Sequence, residues 1–374
     1  MVRLSLRSPF AALRVLAVLS CATCLTAGIR PSLNLDSCTW NATHILVLAP
    51  TEIRGSYRVV EFIKGSVPPG TIFAFSELAP PDEVTSTLKE LAAQGELASG
   101  MDPYVAAPPL RPTDRIILFL RQPGALPEYS IRPDLPVSTD GWQPADHFGG
   151  FLTSAVWLED GAAYGFYQIV NPGPSRLVDI RRSETRVRER INSVLRVRAS
   201  FDKALGVAEP GERARNLAAF VRSDVFVARW SALRHLESGG APAVNALQEL
   251  LADPDLLARH SEIIETLVRT GAKSLDFVPV LKEETAYWAK ACGKHGPGWW
   301  GNPADPDVEA AKSHYSRLLS ALVGVRTLHL TMDVDAVRDL LAIWNSCPPL
   351  DAGEPLALSQ VSSECNSILS VEEH

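Results

Sequence analysis

The chain has 374 residues, of which 46% are hydrophobic and 21% charged, and its formal net charge is −7 at pH 7. This composition excludes disorder over the whole length, and the length is sufficient for two domains that each bury a core. The acidic balance argues against non-specific binding to nucleic acid, so we expect no nucleic-acid partner.

Residues 1–28 have the pattern of a secretory signal peptide. Three arginines and no acidic residue begin the segment: Arg3, Arg7 and Arg14. A 13-residue apolar run follows over 15–27, and small residues allow cleavage after Ala22 or after Gly28. We therefore predict an exported protein, periplasmic or secreted.

Two alternatives to cleavage are less favoured. The apolar run is shorter than the roughly 20 residues that a membrane-spanning helix needs, which argues against a permanent anchor. Lipidation at Cys21 would require a longer apolar stretch than Arg14 leaves in front of it. No later segment is long and apolar enough to cross a bilayer, so we expect no membrane span in the mature chain.

Residues 38–181 are predicted to form an antiparallel β domain, a small barrel or a sandwich. Asp160-Gly161 between the apolar runs 156–159 and 163–170 indicates a hairpin. The long insertion near 78–114 contains a predicted amphipathic helix over 82–97. Four further runs are rich in β-branched and aromatic residues, as is typical of strands: 44–48, 57–63, 71–75 and 115–120.

This first half faintly resembles small exported barrels of the netrin/metalloproteinase-inhibitor type. Those domains begin with a cysteine near the mature N terminus, as Cys38 does, and contain a strand, a Lys-Gly turn and a second strand, as in 59–65 and 71–75. The resemblance implies a small barrel. Such domains usually hold several disulfides, whereas this half has only Cys38, so inhibitor activity is not implied.

From residue 184 onward the apolar spacing becomes helical, and residues 184–371 are predicted to form an all-α domain. Ser183 can cap a first helix with Val187, Ile191 and Val194 on one face. Arginines occupy its other side: Arg186, Arg188, Arg190 and Arg196. Such a run could hold an anion, but a solvated face is the favoured interpretation. Further helices are predicted over 213–222, 227–237, 242–251, 253–270, 275–291, 308–323 and 334–344.

Residues 229–283 resemble degenerate armadillo/HEAT-type helical repeats. The first copy reads Ala232-Leu233, Leu236 and Gly239, then Ala243-Val244, Leu247, Leu250-Leu251 and Asp253; a looser copy spans 263–281. In such repeats each helix pair buries its apolar face against its neighbours. The resemblance implies an interaction surface and no particular reaction.

Four cysteines remain if the signal peptide is removed, namely Cys38, Cys292, Cys347 and Cys365. An even number in an exported chain predicts two disulfides, and three connectivities are open. The short loop between Cys347 and Cys365 favours that pair, which leaves Cys38 with Cys292. Four reduced, buried thiols are the alternative.

No motif in the sequence establishes a catalytic site, a metal site or a cofactor site. Cys292 and His295 have the spacing of metal ligands, but no second pair accompanies them. Glu283-Glu284 beside Tyr287-Trp288 could supply the paired carboxylates of a glycosidase-like cleft. Trp299-Trp300, between glycines and prolines, is either a ligand platform or a buried lid, and burial is favoured.

Two functional hypotheses follow from these patterns. The favoured one is an exported, non-catalytic binding or envelope-associated protein of unknown ligand, which presents its repeat-like helices to another envelope or extracellular protein. The alternative is a secreted or periplasmic hydrolase that uses carboxylates near Glu283 and Glu284.

Overall fold

The computed structural model describes residues 29–30, 34–53, 55–75, 78, 115–129, 141–145, 154–169, 176–272, 274–295, 307–330, 334–346 and 355–372. Two compact units divide the chain: Met1–Ser200 with Val225–Val227, and Phe201–Asp224 with Ala228–His374. The predicted α+β fold, with an antiparallel β domain followed by a helical domain, is confirmed. The division by contacts falls at Ser200, inside a long helix, whereas the sequence pattern places the change of domain before that helix.

The first unit is built on one antiparallel sheet. Its order is β1-β8-β7-β5-β2-β3-β4, with β6 also paired to β5 and β9 to β8. No pairing among the described strands joins β4 to β9, so this part of the chain is a single open sheet. The described strands are β1 (Ile29–Arg30), β2 (His44–Pro50), β3 (Ser56–Lys64), β4 (Ile72–Ala74), β5 (Arg115–Arg121), β6 (Gln143–Pro144), β7 (Ala155–Glu159), β8 (Ala162–Ile169) and β9 (Arg176–Ser183).

The two central strands, β2 and β5, are buried on both faces, which is why they read as continuous apolar runs. Burying one such aliphatic side chain contributes about 1.5–3 kcal/mol, so these strands anchor the unit. One face packs a cluster containing Ile45, Val47, Ile117 and Phe119. The opposite face packs a second cluster, whose members include Leu46, Leu118, Tyr57, Phe73 and Trp157.

Two helices pack against the face that carries Ile45 and Val47. Helix α1 (Leu35–Asn41), which the sequence pattern did not predict, begins at Asn34, whose side chain accepts a hydrogen bond of 3.1 Å from the Ser37 amide. Helix α2 (Glu184–Leu205) directs Val187 and Ile191 into the same cluster, as its apolar spacing predicts.

The predicted hairpin is confirmed. Strands β7 and β8 pair in register from Val156↔Gly165 to Glu159↔Ala162, and the turn between them is Asp160-Gly161. Both turn residues have left-handed backbone angles, with φ of 47° at Asp160 and 79° at Gly161. An Asp-Gly pair adopts such a turn readily because glycine has no Cβ and aspartate tolerates the left-handed region. Strand β9 was not predicted, and the predicted helix over 82–97 lies outside the described residues.

The described helices of the second unit, beyond the end of α2, are α3 (Pro210–Ala218), α4 (Phe226–Glu237, whose first two residues belong to the first unit), α5 (Gly240–Leu251), α6 (His260–Thr270), α7 (Val278–His295), α8 (Val308–Leu328), α9 (Val334–Ser346) and α10 (Pro355–Glu372). The helix predicted over 253–270 is divided, because a 3₁₀ segment, Pro254–Arg259, precedes α6. Helix α10 was not predicted.

Several helices of the second unit pack against the next helix but one: α3 with α5, α6 with α8, α7 with α9 and α8 with α10. A close approach of α6 and α8 depends on Gly324, where a Cβ would lie 2.8 Å from Val268 Cγ2. This alternation is the observed packing; assignment to a repeat family stays a prediction. Within the described residues, no helix is both long and apolar enough to cross a membrane.

Candidate ligand-binding site

The structure describes three of the four cysteines that the sequence assigns to the mature chain, namely Cys38, Cys292 and Cys365. Cys38 and Cys365 are both buried, and neither takes part in a disulfide. Cys292 is disulfide-bonded, and the other half of that bond lies outside the described residues, as Cys347 does. The favoured pairs Cys38–Cys292 and Cys347–Cys365 are therefore absent from this structure, and the presence of two disulfides stays a prediction. A short loop favours pairing only when the two thiols can approach, and Cys365 instead points into the core of the second unit.

The remaining candidates from the sequence are the metal ligands Cys292 and His295 and the pair Trp299-Trp300. His295 Nε2 lies 3.0 Å from an oxygen of Asp307, on the segment that leads into α8. Among the described residues there is no group of three or more side chains suited to hold a metal ion. Trp299 and Trp300 lie outside the described residues.

The paired acids on α7 form a buried ion network. Glu284 is fully buried, whereas the side chain of Glu283 is 64% exposed. One guanidinium holds both carboxylates: Arg317 Nη1 donates to Glu284 Oε1 at 2.9 Å, and Nη2 donates to Glu283 Oε2 at 2.6 Å. His314 Nδ1 lies 3.0 and 3.1 Å from the two oxygens of Glu284.

The described side chains around this network include a tyrosine and a second histidine. Tyr287 stacks on the His314 ring with centroids 3.5 Å apart, and burial raises the pKa of Tyr287 to about 12. His260 is also buried; burial first and the positive Arg317 second lower the pKa of His260. Glu284 has no exposed surface and so cannot contact a glycoside, whereas Glu283 is exposed but binds the same arginine. Arg317 therefore joins the two acids in one ion network, and the hydrolase hypothesis stays a prediction.

The first unit contains a separate pocket of about 670 Å³. This volume is within the range of small-molecule sites, about 300–1,000 Å³. Among the described residues that line it, three are apolar and almost fully buried: Leu35 from α1, Ala162 from β8 and Val187 from α2. The other described lining residues are polar or glycine: Asp160, Gly161, Ser183, Arg186 and Arg190.

The two arginines of the pocket differ in what they bind. Arg190 donates to both oxygens of Asp36, with Nε to Oδ1 at 2.8 Å and Nη2 to Oδ2 at 2.6 Å. This two-pronged geometry fixes Arg190 and neutralises much of its charge. Arg186 is exposed and makes no ion pair in the described part of the chain. Arg186 is therefore the cation available to a ligand.

A backbone hydrogen bond joins the two segments that line this pocket. The Glu184 amide donates a 2.9 Å hydrogen bond to the Gly161 carbonyl, so the hairpin turn is attached to the start of α2. The neighbouring Arg188 is bonded to Glu61 and Glu184 and does not line the pocket. One face of the helix packs on the sheet while Arg186 and Arg190, four residues apart, lie along the pocket.

The sequence contained each element of this pocket but not their association. The Asp160-Gly161 turn and the arginines of α2 were recognised separately, and the arginines were interpreted as a solvated face. The signal that could have joined them is the position of Ser183 at the end of the β domain, where a helix must start beside the sheet. Comparison of the chain with protein-family models, with curated proteins and with solved structures finds no match.

Proposed function

We propose that this protein is an exported, non-catalytic binding protein that holds a small, negatively charged ligand in the pocket of its first unit. The observation that carries the proposal is the exposed, unneutralised Arg186 on a pocket of about 670 Å³ with an apolar base. Apolar lining with a few oriented polar groups is the usual construction of a ligand site. A guanidinium is well suited to a carboxylate or a phosphate, which it can bind through two hydrogen bonds.

The residues of the pocket favour binding over catalysis. Ser183 is the one hydroxyl among the lining residues described, and no histidine or cysteine lines the pocket with it. A serine nucleophile requires an adjacent base to remove its proton. The hydrolase hypothesis loses support as well, because Glu283 and Glu284 share Arg317 and Glu284 is sealed from solvent. Export and a partner-binding helical surface stay predictions that accompany this proposal.

The test uses the purified mature chain and two anionic probes, phenylacetate and benzyl phosphate, in isothermal titration. We expect saturable binding that Arg186→Glu weakens by at least about tenfold, because reversal of the charge repels the anion. Arg196→Glu is the matched control: it lies on the same helix, is exposed and does not line the pocket. Absence of saturable binding, or equal losses in both variants, would disprove the proposal.

Export is tested independently of the ligand. Expression of the full chain with its first 28 residues, followed by N-terminal sequencing of the protein recovered outside the cytoplasm, should give a start at residue 23 or 29. A chain recovered only inside the cell with Met1 retained would contradict the predicted signal peptide.

A further inference from the structure

The pocket carries two ionised groups of opposite sign that remain without ion-pair partners. Asp160 and Arg186 both line it, and both are exposed. Neither is within ion-pair distance of the other or of a charged group elsewhere in the described residues. Arg190, the third charged lining residue, is bonded to Asp36. Among its described lining residues, the pocket therefore presents one negative and one positive group that can bind a ligand.

The backbone around Asp160 and Arg186 is well defined. Asp160 stands in a left-handed turn that is closed by the Glu159↔Ala162 pair, and Gly161 beside it accepts the amide of Glu184. Arg186 lies in the first turn of the helix that begins at Glu184. A turn bonded to a helix start fixes the two backbone positions from which the carboxylate and the guanidinium extend, and this limits the spacing of ligand charges that the two groups can reach.

A ligand with only a negative charge would satisfy Arg186 and leave Asp160 facing it. Like charges placed close together near a protein surface repel each other, so Asp160 discriminates against an acidic group of the ligand that lies near it. A ligand that adds an ammonium group turns this repulsion into attraction. The base of Leu35, Ala162 and Val187 accommodates an apolar body between the two charges.

We infer that the ligand is a zwitterion with an apolar body, of the class of short apolar peptides with a free amino and a free carboxyl terminus. Its carboxylate binds Arg186, its ammonium binds Asp160, and its side chains lie on the apolar base. The inference rests on the proposed function, since it names the ligand class of the same pocket.

The experiment compares three probes by isothermal titration with the full mature chain: leucyl-leucine, N-acetyl-leucyl-leucine and leucyl-leucinamide. Leucyl-glycyl-leucine extends the series by varying the charge separation. Each single blocking group should weaken binding by at least about tenfold relative to the free peptide that binds best, the loss expected for one charge-assisted contact.

Two conservative variants assign the contacts. Asp160→Asn should weaken binding of the free peptide but not of N-acetyl-leucyl-leucine, whose only charge Asp160 repels, and asparagine tolerates the positive φ of that position. Arg186→Gln should weaken the free peptide while leaving leucyl-leucinamide unaffected. Thermal unfolding of each variant within a few degrees of the parent shows that the fold is retained.

The outcomes separate this inference from the proposed function. If the N-acetylated peptide or phenylacetate binds as tightly as the free peptides, or if Asp160→Asn has no effect, the zwitterion inference is wrong and anion binding stands. If anions bind but no free peptide does at about 10 mM, a concentration that detects very weak complexes, the inference is again wrong. If neither anions nor peptides bind, both proposals fail.

Discussion

Two groups of arginines and carboxylates, one in each unit, show opposite uses of the same chemistry. In the second unit, Arg317 is almost fully buried and bonded to both Glu283 and Glu284. In the first unit, Arg186 is exposed at a pocket and bonded to no carboxylate in the described residues.

The comparison shows that burial and pairing, more than residue type, distinguish a structural charge from a binding charge. Moving an ion out of water costs free energy, so a guanidinium is tolerated in a protein interior only when carboxylates pair with it. An exposed guanidinium needs no such partner. It donates its hydrogen bonds to water until a ligand displaces that water. Paired acids next to aromatic residues are therefore weak grounds for an active site until their exposure is known.

The largest expected effect is the loss of Arg317. Arg317→Ala leaves the buried Glu284 without its guanidinium, and we expect the free energy of unfolding to fall by about 3–5 kcal/mol. Arg326→Ala on the same helix is the control, because its partner Glu364 and its own exposed position predict a loss of about 1 kcal/mol or less. Urea unfolding followed by circular dichroism measures both. Equal losses of stability in the two variants would show that the buried network stabilises the protein no more than an exposed ion pair does.

A second expected effect concerns the helix that carries Glu284. Cys292 on this helix is disulfide-bonded, and Trp288, one turn before it, contacts Trp344 at 5.0 Å between ring centroids. Because signal cleavage would remove Cys21 and Cys24, we expect non-reducing peptide mapping to link Cys292 to Cys347. Cys292→Ser should then destabilise the protein by about 2–4 kcal/mol.

The same mapping experiment supplies its own control. Cys365 should resist alkylation in the folded protein, because burial raises its pKa to about 12, and should react once the chain is unfolded. A peptide that links Cys292 to Cys38 or to Cys365 would contradict the structure.

A smaller effect should appear as pH dependence of the second unit. Burial and Arg317 lower the pKa of His260 in the folded state, so the unfolded chain takes up this proton first as pH falls below 6.5. The stability that neutral His260 provides is complete above pH 6.5 and is lost as pH falls toward the lower, folded-state value. His260→Gln should flatten the dependence of the unfolding free energy on pH over that interval. An unchanged pH dependence in this variant would exclude His260 as the cause.

The smallest expected effect on stability belongs to the pocket. Arg186→Ala should change the unfolding free energy by no more than about 0.5 kcal/mol, since the side chain is exposed and makes no ion pair in the described residues. The same variant should lose the anionic probes. Thermal unfolding and titration on one preparation measure both effects. A large loss of stability would show that Arg186, like Arg317, has a structural role.

Much of the fold could be predicted because it is encoded locally. The strands around Ile45 and Ile117 are continuous apolar runs, Asp160-Gly161 has the backbone preferences of a tight turn, and Val187 and Ile191 are spaced for one helix face. Strand β9 and helices α1 and α10 were not predicted, because their patterns are short or mixed and pairing with the sheet or packing in the unit decides them.

The sequence by itself determined the order of the units, the main strands and helices, and the presence of paired acids and clustered arginines. Only the tertiary structure decided which charges are buried and which meet at a pocket. Asp160 and Arg186 are far apart along the chain, and the folding of β9 back onto β8 brings α2 to the hairpin turn. Local preference acts over a few residues, whereas a binding site depends on burial and on distances between segments that only the folded chain establishes.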